Sequence, residues 1–148
     1  MFANIFRRGN RLFAASSILI LLTAAAHTAG HFSPLPADAK LMAVIEAMTG
    51  YQLDLGLGMR PSILSVQESL SLTMSLLLLF LGVQNLATLY WAGDSPRLVR
   101  GLAVINLLCM ASLSALYLFY QIPPPLICFS LIAVLLLLAL ILTDKREG

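Results

Sequence analysis

His27 and His31 stand four residues apart, and Glu68 stands near the start of the second long apolar run, among Ser65, Gln67 and Ser69. These are the side chains whose types and spacing could carry chemistry. Residues at i and i+4 share one helix face, so both imidazoles can address one centre. Two histidines and a carboxylate can ligate a divalent metal, so His27, His31 and Glu68 form the metal set, if a metal is bound at all. The same three groups could instead move protons, because histidine titrates near neutral pH. The competing reading is structural. A histidine at a membrane interface can snorkel or cap a helix end, and a carboxylate can simply be solvated. Tyr117 and Tyr120 complete the candidate polar site, His27, His31, Glu68, Tyr117 and Tyr120, on grounds of depth developed below. No motif specifies a cofactor, and catalytic roles stay unassigned.

The elements that position these residues follow from composition. Of 148 residues, 59% are hydrophobic and 11% charged, against about a quarter charged in a soluble domain. The apolar residues fall in long runs, and about 20 of them are needed to cross the hydrocarbon of a bilayer. Four such runs are present, giving an all-α, integral membrane four-helix bundle in a single domain over residues 1–148, with helices over about 12–31, 63–91, 97–120 and 126–143 and an outer loop over 32–62. The first run has an alternative. It follows Arg7, Arg8 and Arg11, and Ala24-Ala25-Ala26 fits a small-residue cleavage pattern. Cleavage there would make it a signal peptide and leave three helices; an uncut anchor is the expectation.

Within the outer loop, Pro34 and Pro36 end the first helix. Residues 37–49 then read as a short amphipathic helix, with Leu41, Val44, Ile45 and Met48 at helical spacing and Asp38 near its start. Gly50 is expected to cap it, and it should lie along the membrane surface. Gly56, Gly58 and Pro61 mark a flexible return. Ser62 can cap the second spanning helix, which ends at Tyr90 and Trp91 in an aromatic belt. Residues 92–96 turn tightly, and Pro123-Pro124-Pro125 suit the first turn of the last helix.

Lys and Arg set the orientation. Arg7, Arg8, Arg11, Arg97, Arg100, Lys145 and Arg146 fall on one side, and Lys40 and Arg60 on the other. The richer side is cytoplasmic, so both termini are expected inside. The outer ends of the first three spans then carry His27 and His31, Glu68, and Tyr117 and Tyr120, which would place all five around one outer-leaflet cavity. Polar stripes support such inward faces: Ser16, Thr23, His27, Gly30 and His31 on the first span; Glu68, Ser71, Ser75, Gly82 and Asn85 on the second; Asn106, Cys109, Tyr117 and Tyr120 on the third. The last span has no polar stripe and should face lipid broadly. Gln84, Asn85 and Asn106 lie deeper and are expected to hydrogen-bond between helices, with a polar permeation path as the alternative. Cys109 and Cys128 differ in depth and read as small apolar fillers, not a disulfide. No basic run interleaved with aromatics points to nucleic acid, and no inverted repeat points to a transporter.

The run His27-Thr28-Ala29-Gly30-His31-Phe32, a proline break, and then Tyr51-Gln52-Leu53-Asp54-Leu55-Gly56 resembles a group of small uncharacterised bacterial four-helix inner-membrane proteins. The resemblance implies a multi-pass protein of the bacterial inner membrane and carries over no functional residue. The topology is also loosely similar to the sterol-isomerase-like membrane fold, which uses His and Glu in an intramembrane pocket, an analogy at the level of fold. Vitamin K epoxide reductase-like enzymes share the four-helix plan, but their cysteine motif is absent. The expected role is a non-enzymatic membrane protein acting as a helix-bundle partner or apolar-ligand binder. The alternative is a membrane enzyme acting on a lipid-like substrate through the outer His/Glu site. The expected partners are the lipid bilayer, an apolar small molecule, other membrane helices or a second copy of the chain.

Overall fold

The computed structural model describes residues 8–144. They form five helices: α1 (Arg8–His31), α2 (Ala39–Gly50), α3 (Ile63–Ala92), α4 (Pro96–Phe119) and α5 (Pro123–Asp144). Four of them, all but α2, are long and apolar enough to cross a membrane. Arg7 and the charged residues 145–147, on which the sequence reading also drew, lie outside the described residues.

Local chemistry explains most helix ends. The Asp38 carboxylate caps α2 by accepting from the Leu41 N–H at 2.9 Å, which satisfies one of the free donors of a helix start. Gly50 is not the cap expected from sequence. It is the last helical residue, and Tyr51 follows in an extended conformation at φ −83°, so no left-handed glycine is needed. Ser62 accepts from the Ser65 N–H at 3.1 Å at the start of α3. Pro96 and Pro123 open α4 and α5, where the missing N–H costs nothing and the fixed φ suits the first turn.

The C-terminus of α4 ends in a Schellman arrangement. Ile122 N–H reaches back to Tyr117 O at 3.0 Å, and Gln121 N–H to Leu118 O at 3.1 Å. This geometry needs a left-handed residue, and glycine usually supplies it. Here Gln121 takes that place at φ 55°.

The described chain divides into two compact units. One is Ala24–Leu77; the other comprises the described residues before Ala24 and after Leu77. In the latter, α4 and α5 pack along one another. The buried line of α4 is Val99, Ala103, Asn106 and Met110, and that of α5 is Phe129, Ile132, Leu136 and Ala139. Both lines advance by three and four residues, the spacing of one helix face. Tyr117 stacks on Phe129 with ring centroids 5.5 Å apart. Cys109 sits beside the buried line of α4 rather than on it. It is exposed, Cys128 is half-buried, and both are free thiols. The α1 residues of this unit approach α3 at Gly82, where an added Cβ would lie 2.6 Å from Leu21 Cδ2 and 3.2 Å from the Ser17 carbonyl. Ser16 and Ser17 are buried on α1 and both donate to the Phe13 carbonyl, at 2.8 and 2.7 Å. Hydroxyls can thus sit among apolar neighbours without an unmade bond.

Candidate functional site

The unit Ala24–Leu77 holds the ionisable pair. His27 and His31 occupy the last turns of α1, one above the other, as their spacing requires. Both meet a single residue of α3. Ser71 Oγ lies 3.2 Å from His27 Nε2 and 3.2 Å from His31 Nδ1. One hydroxyl has one proton to donate and lone pairs to accept with. Ser71 can therefore donate to one ring while the N–H of the other donates to it, and the two tautomers are coupled through one oxygen. His27 is exposed, and His31 and Ser71 are half-buried. Phe32, itself exposed, stands edge-on to His31 with ring centroids 4.9 Å apart.

Ser71 is the residue that sequence reasoning left out of the site. It was legible as a member of the α3 stripe with Glu68 and Ser75, three residues from one and four from the other. What singles it out is its register against α1, which no spacing within α3 reveals. Glu68, one turn earlier, is exposed, and its carboxylate makes no hydrogen bond or ion pair among the described residues. Tyr117 and Tyr120 belong to the other unit. Tyr117 is engaged with Phe129, and Tyr120 is exposed and edge-on to Phe119 at 5.2 Å. Among the described residues no three His, Cys, Asp or Glu side chains form a group able to hold a metal ion. The arrangement present is thus an imidazole–hydroxyl–imidazole relay, suited to passing or sharing a proton.

A second polar feature lies deeper, in the other unit. Asn106 Nδ2 donates to Asn85 Oδ1 at 2.9 Å, and both residues are buried. This is the interhelical bond expected of α3 and α4. Gln84, its sequence neighbour, faces outward and is exposed. The pair is only half satisfied: among the described residues, Asn85 Nδ2 and Asn106 Oδ1 have no partner. One free donor and one free acceptor remain on two amides in contact, a combination that a single water can serve.

No family model, curated protein or solved structure matches this chain.

Proposed function

We propose that this chain is a multi-pass protein of the bacterial inner membrane, with both termini cytoplasmic, that acts without catalysis as a partner for other membrane helices or as a binder of an apolar ligand. α2 lies along the membrane surface in this reading. One observation carries it. The spanning helices leave most of their apolar surface uncovered by their own chain: at most 28% of any span's apolar window is buried internally. Leu76, Leu77 and Phe80 on α3, Ile105 and Leu108 on α4, and Ile127 on α5 are all exposed. A soluble monomer rarely carries such extended apolar surface; lipid, a partner helix or an apolar ligand covers it. Native mass spectrometry from nanodiscs drawn directly from membranes tests the idea. A retained apolar molecule, a second copy or a further helical chain at fixed stoichiometry is expected. A bare 16.0 kDa chain, folded and carrying none of these, overturns it.

A second reading is favoured by the contacts at Ser71. A hydroxyl held 3.2 Å from two imidazole nitrogens resembles the hydroxyl–base pairing of nucleophilic and acid–base catalysis. On this reading the protein is a membrane enzyme that works on a lipid-like substrate, with His27 and His31 as proton carriers and Glu68 at the rim. Turnover of a lipid ester or sterol-like probe that is lost in Ser71→Ala and His27→Ala, with the fold intact, would establish it over the first.

A further inference from the structure

The segment joining α2 to α3 reads in sequence as a flexible return. Its hydrogen bonds describe something else. Gln52 and Ser62 form an antiparallel bridge. Ile63 N–H donates to Tyr51 O at 3.1 Å, Leu53 N–H to Pro61 O at 2.9 Å and Leu55 N–H to Met59 O at 3.3 Å. Pro61 has no N–H to return the second bond, so the ladder is thin, but its register is fixed. Positions 52 and 62, 53 and 61, 54 and 60, and 55 and 59 face one another. The Asp54–Arg60 ion pair at 3.7 Å obeys the same register.

Side chains alternate between faces along a strand. The even positions, Gln52, Asp54, Arg60 and Ser62, make one polar face. The odd positions, Leu53, Leu55, Met59 and Pro61, make an apolar one. Leu53 and Pro61, near the base, are half-buried. Leu55 and Met59, nearer the tip, are exposed. Leu57 is 96% exposed at the tip itself. It is held there at φ 53° between Gly56 and Gly58, both at φ 77°, a left-handed conformation that a leucine adopts at a cost. Leu57 thus extends the exposed apolar face of Leu55 and Met59 to the tip of the hairpin.

We infer that residues 51–62 form an amphipathic β-hairpin whose apolar tip, Leu55, Leu57 and Met59, seats in the lipid bilayer beside the start of α3; the inference rests on the membrane reading above. Three observations favour lipid over a protein partner. The hairpin's base is pinned to the first residue of α3 through Ile63, so the tip is tethered to a spanning helix. The first exposed leucine of that helix, Leu70, lies about 12 Å along α3 from Ser62, and a strand from Ser62 to Leu57 reaches about 17 Å. Folded back along α3, a hairpin of that reach brings its tip to the level at which α3 itself turns apolar. The polar face carries one acid and one base paired with each other, a net-neutral collar that matches a zwitterionic headgroup layer rather than a charged protein surface.

The test is a depth measurement on the full chain, with Cys109 and Cys128 replaced by alanine, in phosphatidylcholine nanodiscs. Nitroxides at Leu57→Cys, Gln52→Cys and Leu77→Cys are compared for collisions with oxygen, which partitions into lipid, and with a water-soluble nickel chelate. The Leu57 label is expected to show an oxygen-to-nickel ratio several-fold above that of Gln52 and closer to that of Leu77. Met59→Cys should repeat the result. A Leu77 label in lipid with a Leu57 label as water-exposed as Gln52 overturns the hairpin inference and leaves the membrane reading standing. Shielding of Leu57 from both reagents places it against protein and also overturns the inference. A Leu77 label in water removes the membrane reading, and the hairpin inference with it.

Discussion

The Asn85–Asn106 pair and the Ser71 contacts are the two places where single side chains decide something, and burial separates them. The amide pair is buried. Asn85→Leu would leave Asn106 Nδ2 without its acceptor, and a buried polar group left unpaired costs about 1–3 kcal/mol. The double variant Asn85→Leu/Asn106→Leu removes both polar groups and should recover most of that loss; mild-detergent unfolding of the three variants measures it. A double variant as unstable as the single one would mean that the pair acts through shape, not through its hydrogen bond. Ser71 differs because His27 is exposed and water can replace the lost hydroxyl. Ser71→Ala should therefore change stability by less than about 1 kcal/mol. It should also leave the two rings without a common hydrogen-bond partner, so that the ring-nitrogen shifts of both His27 and His31 change by histidine NMR. Unchanged ring-nitrogen shifts at both histidines would refute the relay.

At the scale of elements, close approach and helix termination can be tested. Gly82 admits α1 because it has no side chain: a Cβ there meets Leu21 Cδ2 at 2.6 Å and the Ser17 carbonyl at 3.2 Å. The leucine can rotate away but the carbonyl cannot, so Gly82→Val should destabilise by roughly 1–3 kcal/mol through overpacking. An unchanged unfolding midpoint would show that α1 and α3 are not held at this distance. Gln121 offers the opposite sign. Its left-handed φ of 55° suits glycine, so Gln121→Gly should stabilise by up to about 1 kcal/mol, less the entropy that glycine gives the unfolded chain. Both positions contrast with the helix starts. Pro123, Ser62 and Asp38 could be read directly from sequence because a cap acts within three residues of itself, whereas Pro96, expected in the turn 92–96, proved to be the first residue of α4. Gly82 was visible only as one member of a stripe, since its importance depends on which α1 residue lies opposite.

For the whole molecule, the seven-to-two division of Lys and Arg predicts that both termini are cytoplasmic. A reporter fused after Gly148 should give a cytoplasmic signal, and one inserted within α2 an external signal. An external C-terminus would favour a three-span chain with a cleaved first segment. If the four long apolar helices span the membrane as proposed, a chain that leaves them so exposed should also gain stability from whatever covers them. Raising the concentration of the retained partner or ligand should raise the unfolding temperature in the manner of any species that binds only the folded state, whereas an inert lipid coat would not respond.

The sequence by itself determined where the helices lie and where they stop. Hydropathy summed over twenty residues, prolines at helix starts and capping side chains are all local quantities, complete within one stretch of chain. Most of the polar stripes were legible for the same reason, because helical spacing alone assigns a face. The tertiary structure decided which stripe residue meets which. Ser71, not Glu68, stands between the two histidines; Asn85, not Gln84, takes the bond from Asn106; and Cys109 falls outside the buried line that Asn106 occupies. It also turned a glycine-marked return into a paired hairpin. Each of these depends on the rotation and register of segments distant in sequence. A shift of one residue turns a helix position by about 100° and a strand position to the opposite face, and that choice is settled only when the segments pack together.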